Sequence, residues 1–149
     1  MYFKTTITYK KPVEGEEDQH KQVKEHYLVN AVSVTDAEAK ILKELPDNYY
    51  DKDVKGVTMS NVTRVIFSSG EKWFVAGVKY ATGTNRKGEI AYAYETIMIN
   101  GDNIDHALGN LRINHKDTVE EYIINSLQES KMIVERTMLT TDHVIDNDE

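Results

Sequence analysis

The chain has 149 residues, 40% hydrophobic and 29% charged, with no cysteine and a formal net charge of −7. That size and balance fit one globular domain spanning residues 1–149 and argue against global disorder; the missing thiols exclude disulfides, thiolate metal sites and cysteine nucleophiles. The acidic excess argues against a broad basic face for duplex phosphates, although the charge is concentrated at Glu14, Glu16, Glu17 and Asp18 and in the tail at Asp142, Asp146, Asp148 and Glu149, which leaves the body close to neutral.

The opening Tyr2–Lys10 alternates aromatic and β-branched residues and predicts a strand. An acidic turn leads to a second strand-like run, His26–Val34, and the two predict a hairpin. Thr35-Asp36-Ala37-Glu38 has the spacing of a capping box. Ala37, Ile41, Leu42 and Leu45 then form an apolar stripe, and Pro46 ends the helix. After a loop over Asp47–Asp53, the β-branched run Val54–Phe67 predicts a closing strand.

The pattern restarts about 70 residues later, where Trp73-Phe74-Val75-Ala76-Gly77-Val78-Lys79-Tyr80 parallels Tyr2-Phe3-Lys4-Thr5-Thr6-Ile7-Thr8-Tyr9. So long a period points to internal duplication rather than a solenoid. A loop over Thr82–Glu89 leads to the return strand Ile90–Ile99, and Asn100-Gly101-Asp102-Asn103 supplies turn and cap. The second helix is predicted over Asn103–Leu111, with Ile104, Ala107, Leu108 and Leu111 on one face, and Tyr122–Arg136 as its closing strand. Residues 117–127 read either as the start of that strand or as a third helix. The expectation is an α+β chain of two strand–strand–helix–strand units, residues 2–67 and 73–136, with mainly antiparallel sheet and an acidic tail over 137–149.

The aromatic opening, Tyr27-Leu28-Val29-Asn30-Ala31, the helix start Thr35-Asp36-Ala37-Glu38-Ala39-Lys40 and the Trp73-Phe74 restart together resemble a family of small proteins of unknown function from Bacteroidetes bacteria and their phages. The resemblance covers nearly the whole chain except the tail, and its motifs are structural. It implies a fold and a phage or mobile-element context, and it brings no activity.

Little in the sequence suggests catalysis. The five histidines, His20, His26, His106, His115 and His143, lack zinc-enzyme spacing, and His20 and His26, six residues apart on the hairpin, read as solvated surface groups. The Gly83-to-Gly88 loop is followed by Glu89 instead of a phosphate-binding lysine, so it reads as a hairpin turn. Asp102 and Asp105 stand where helix capping would place them. No Gly-x-Ser-x-Gly elbow occurs. The expectation is a non-enzyme with no cofactor and no metal. Met1 is followed by no basic region and apolar run, and no stretch approaches the roughly 18 apolar residues of a bilayer span; a cytoplasmic location without a membrane partner is expected.

Strand alternation singles out one surface. Phe74, Ala76, Val78 and Tyr80 share a face, as do Phe3, Thr5, Ile7 and Tyr9. With Ala91, Ala93, Ile97 and Ile99 also turned to the core, Trp73, Lys79, Tyr92 and Tyr94 point outward, and Arg86 and Lys87 stand at the hairpin tip. Aromatic faces beside cations suit base stacking and phosphate contact. These six residues are the candidate site for single-stranded nucleic acid or a nucleotide. An aromatic outer face on a duplicated sheet is more often buried between the two halves or in a homodimer. Two other functions stay open: a protein-interaction factor, such as an inhibitor of a host protein or a virion component, and a sponge for a nucleotide signal.

Overall fold

The computed structural model describes residues 1–139 and 144–146. In chain order its elements are β1 (Tyr2–Val13), β2 (Glu16–Asn30), α1 (Val34–Glu44), β3 (Tyr50–Met59), β4 (Arg64–Phe67), β5 (Lys72–Thr84), β6 (Ile90–Gly101), α2 (Ile104–Asn114), β7 (Tyr122–Ser130), β8 (Ile133–Val134) and β9 (Val144–Asp146), with a 3-10 turn at Arg136–Met138. The class is α+β. Two sheets form, with strand orders β3-β1-β2-β8 and β7-β5-β6-β4-β9. They belong to two compact units, residues 1–60 with 131–141 and residues 61–130 with 142–149. Among the described residues no helix is long and apolar enough to cross a membrane.

In the first unit β1 pairs antiparallel with both β2 and β3. The alternation read from the sequence holds: Phe3, Thr5, Ile7 and Tyr9 are all buried. Ala37 and Ile41 of α1 and Leu45 at its C-cap close over them, joined by Tyr27, Val29 and Met138. Burial of a side chain the size of Ile41 stabilises by about 2 kcal/mol. The N-cap is Ser33, not Thr35: its hydroxyl accepts the Asp36 N–H at 3.1 Å, and Asp36 in turn accepts the Val32 N–H at 3.0 Å. The helix therefore starts earlier than the capping-box spacing suggested, and β2 ends at Asn30, well before Val34. Leu42 is exposed because Ala37, Ile41 and Leu45 already fill the facing stripe.

The Tyr9 and Tyr27 hydroxyls both donate to Glu25, at 2.8 and 2.7 Å. Burial first, and then these bonds to a carboxylate, push both phenols well above the ordinary tyrosine range. The native fold thus favours the neutral phenol. The stabilisation is present below the unfolded phenol value near 10 and lost as pH rises beyond it. An ultraviolet titration should show these two rings silent above pH ~10 until the fold opens, and then ionising together with loss of circular dichroism. Reversible ionisation of every tyrosine in the folded protein would contradict this.

The second unit is organised around β5, paired antiparallel with β6 and β7. Its core holds Ile66, Phe74, Ala76, Val78, Ile97 and Ile99 under Ala107 and Leu111 of α2. Asn103 caps α2 through the His106 N–H at 2.8 Å, as the sequence suggested, but the helix runs on to Asn114 and leaves Ile104 exposed. Asp102 accepts the Glu71 N–H at 3.2 Å. Residues 117–121 form turn and loop rather than a third helix, and the strand begins at Tyr122.

Both expected closing strands are split. Val54–Phe67 divides into β3 and β4, and Tyr122–Arg136 into β7 and β8, with each second piece in the other sheet. β4 lies parallel to β6, and β8 parallel to β2. The breaks fall at Ser60–Thr63 and Lys131–Met132, where the chain passes from one unit to the other. Apolar alternation carries no mark of which sheet a strand will join. The expectation of an acidic tail falls largely on residues 140–143 and 147–149, outside the described residues; the backbone of Val144–Asp146 extends the second sheet beside β4.

Candidate functional site

The sequence-derived candidates separate into two groups along the outer face of β5 and β6. Lys79 pairs with Tyr94 across the ladder, and its Nζ lies 4.6 Å from the Tyr92 ring centroid. Such a contact is worth about 0.5–1 kcal/mol at an exposed site. Tyr94 is 67% exposed and Tyr92 37%. Arg86 and Lys87 are exposed at the hairpin tip, where Asn85 Oδ1 accepts the Lys87 and Glu89 N–H groups at 2.9 and 3.0 Å. Gly88, at φ 80°, closes this turn in a backbone region that favours glycine. Trp73 does not join the group: it is six residues from Lys79, about 20 Å along an extended strand, and is half-buried edge-on to Phe67 at 5.0 Å.

The opposite face of the same sheet forms a cleft of about 370 Å³ that sequence reasoning missed. Tyr80, Ala93 and Glu95 come from its strands, Arg64 from β4, Asn114 and His115 from the end of α2, and Glu120 from the following loop. His115 is only 3% exposed. Its Nδ1 stands 2.9 Å from the Leu111 carbonyl, which can only accept, so Nδ1 donates there and Nε2 is left to accept. The Tyr80 hydroxyl donates to that Nε2 at 2.7 Å.

Arg64 ties the cluster together. Its Nε donates to Glu95 at 2.6 Å, Nη1 approaches Asn114 Oδ1 at 3.5 Å, and Nη2 lies 3.3 Å from both Tyr80 Oη and His115 Nε2. Burial, then the Glu95 charge, raises the Tyr80 phenol, with Arg64 opposing. The His115 ring also lies 4.8 Å from that of Tyr122. Ala93, expected in the core, is exposed and lines this cleft because α2 ends before reaching it. One signal for His115 was present: it falls four residues beyond Leu111 and eight beyond Ala107, on their buried stripe. No such signal marked Arg64, since its strand changes sheets. Among the described residues no group of three or more histidine, aspartate and glutamate side chains is placed to hold a metal.

Residues 1–135 match the family model described as DUF4494, a domain of unknown function. The chain belongs to the DUF4494 family. No curated protein and no solved structure matches it. The DUF4494 match covers every element from β1 to β8.

Proposed function

We propose that this DUF4494 protein is a non-enzymatic accessory factor of phage or mobile-element origin, acting in the cytoplasm, that holds single-stranded nucleic acid or nucleotides on the outer face of β5 and β6. The observation that carries this reading is the exposed Tyr94 ring beside Lys79, itself set against Tyr92. An open ring offers a stacking platform, and Lys79, Arg86 and Lys87 supply charges for the backbone. The phage context rests on the likeness of strand starts and helix cap.

The reading includes internal duplication. The two units share the strand order third–first–second. Phe3 faces Val29 as Phe74 faces Ile99, and Ile7 faces Glu25 as Val78 faces Glu95. Lys40 Nζ donates to the Asn30 carbonyl as Asn110 Nδ2 donates to that of Asn100. A ladder shift falls at Thr6/Ile7 in one unit and at Gly77/Val78 in the other.

Anisotropy of a labelled oligothymidine should show binding whose log–log salt slope is about −2 if the three cations each contact a phosphate. Tyr94→Ala should weaken binding roughly 5- to 150-fold, the equivalent of one stacked base at about 1–3 kcal/mol. Trp73→Ala should leave it unchanged. Salt-independent binding, or full affinity in Tyr94→Ala, would rule the reading out. The second reading is protein docking, favoured by exposed Ile90 and Ile123 around the same rings. A second copy of the chain would use the same apolar area, and sedimentation of Ile123→Asp against the parent protein would reveal it.

A further inference from the structure

The cleft on the inner face of the second sheet is chemically unlike the outer strip, and its charge selects a different ligand. Among the described residues Arg64 is the one cation lining the cleft, but its nitrogens are already directed at Glu95, Asn114, Tyr80 and His115. Little of that guanidinium is left for an incoming anion. Glu95 meets Arg64 through Oε2 alone. Among the described residues, neither its other oxygen nor the Glu120 carboxylate has a hydrogen-bond partner, and both residues line the cleft. His115 adds no free donor, since Nδ1 is turned to Leu111 and Nε2 accepts from Tyr80.

Among the described lining residues, the side chains carry one cation against two carboxylates. The C-terminal end of α2 at Asn114 adds the partial negative charge of its last carbonyls. The remaining lining is Thr82 and Thr118 with the Ala93 methyl and the rings of Tyr80 and His115, and an apolar chain or an ammonium packs favourably against the last three. The volume is near the lower end of the roughly 300–1,000 Å³ typical of small-molecule sites.

The first unit has a smaller cavity beside the end of α1, about 240 Å³, lined by Tyr27, Glu44, Leu45, Tyr49 and Glu135 among others, but its Tyr9–Glu25 pair is closed off and does not line it. There Tyr9 occupies the place of Tyr80 and Glu25 that of Glu95, but Glu25 accepts from both Tyr9 and Tyr27. Tyr49 stacks flat on Tyr9 with ring centroids 3.9 Å apart. Both carboxylate oxygens are used and a ring covers the phenol. In the second unit one carboxylate oxygen is open and the phenol faces a cleft.

We propose that this cleft binds a small organic cation, a primary ammonium on a short apolar or aromatic body, with its charge set against Glu95 and Glu120. The inference does not depend on the nucleic-acid reading, which uses the opposite face. The test is a titration of the ¹⁵N-labelled full chain with phenethylammonium, alongside phenylacetate, which has a similar body and the opposite charge. The expected result is saturable amide shifts at Thr82, Ala93 and Thr118 with the amine and none there with the acid. Glu120→Gln should weaken the amine about two- to fivefold, the loss of one exposed ion pair. Glu120 is exposed, so this variant should keep the parent spectrum. Glu95→Gln is the second variant, checked by the Tyr122 and His115 signals for an intact cleft. Shifts confined to Tyr92 and Tyr94, linear shifts without saturation, equal response to phenylacetate, or an unchanged affinity in Glu120→Gln would each overturn the proposal.

Discussion

Gly70→Ala should destabilise the protein by about 3 kcal/mol or more. Gly70 has φ 132°, where an L side chain is strained, and a methyl placed on it would overlap the Gly101 backbone. Gly101 is itself packed closely on α2, where a Cβ added to it would meet the Ala107 backbone. The loop is also pinned from within. Asn100 Nδ2 donates to the Ser68 and Gly70 carbonyls at 3.0 and 3.1 Å, and Asn110 Nδ2 to the Ser69 carbonyl at 3.0 Å. Moving the loop to admit a methyl breaks these bonds and leaves their donors half-buried. Gly83→Ala is the control: φ is 133° but nothing lies within 4 Å of the added carbon, so only backbone strain, about 1–2 kcal/mol, is expected. Urea unfolding followed by circular dichroism measures both, and equal costs at the two positions would show that the contact with Gly101 is not what matters.

Leu111→Ala should cost about 2–5 kcal/mol, the range for emptying a fully buried leucine site. Leu111 has no exposed surface and is one of only two apolar side chains by which α2 closes the second core. The form of the transition matters as much as its midpoint. The first sheet is completed by β8, which the chain reaches only after passing through the second unit, and residues 61–130 lie between the two parts of the first. Losing the second unit therefore releases the tether that brings β8 to β2. Leu111→Ala should shift a single transition, with Trp73 fluorescence and far-ultraviolet circular dichroism coincident. Two separated transitions would show that the units melt independently.

The family likeness, the α+β class and the face of each long strand could be read from residues alone. Strand polarity is a local property: alternate side chains lie on opposite faces, so Phe3, Ile7 and Tyr9, or Phe74, Ala76 and Val78, declare a buried side wherever the strand goes. The same locality placed Lys79, Tyr92 and Tyr94 outward, and put Asn103 at the head of α2. Capping was less secure where two hydroxyls competed, and Ser33 took the role assigned to Thr35 because the chain turns from β2 two residues earlier.

What only the tertiary structure decided is which strands share a sheet and what then meets across it. The split of Val54–Phe67 between sheets sends Arg64 to the second unit, and nothing local distinguishes Arg64 from any exposed strand arginine. The gathering of Arg64, Tyr80, Glu95 and His115 depends on a parallel pairing of β4 with β6 and on the length of α2, contacts between residues up to 51 positions apart. Local propensity acts over a turn of helix or a pair of side chains, whereas a polar cleft is made by separated segments that each supply one group. The sheet faces were legible because they repeat every second residue; the cleft has no period and exists only once the chain has folded.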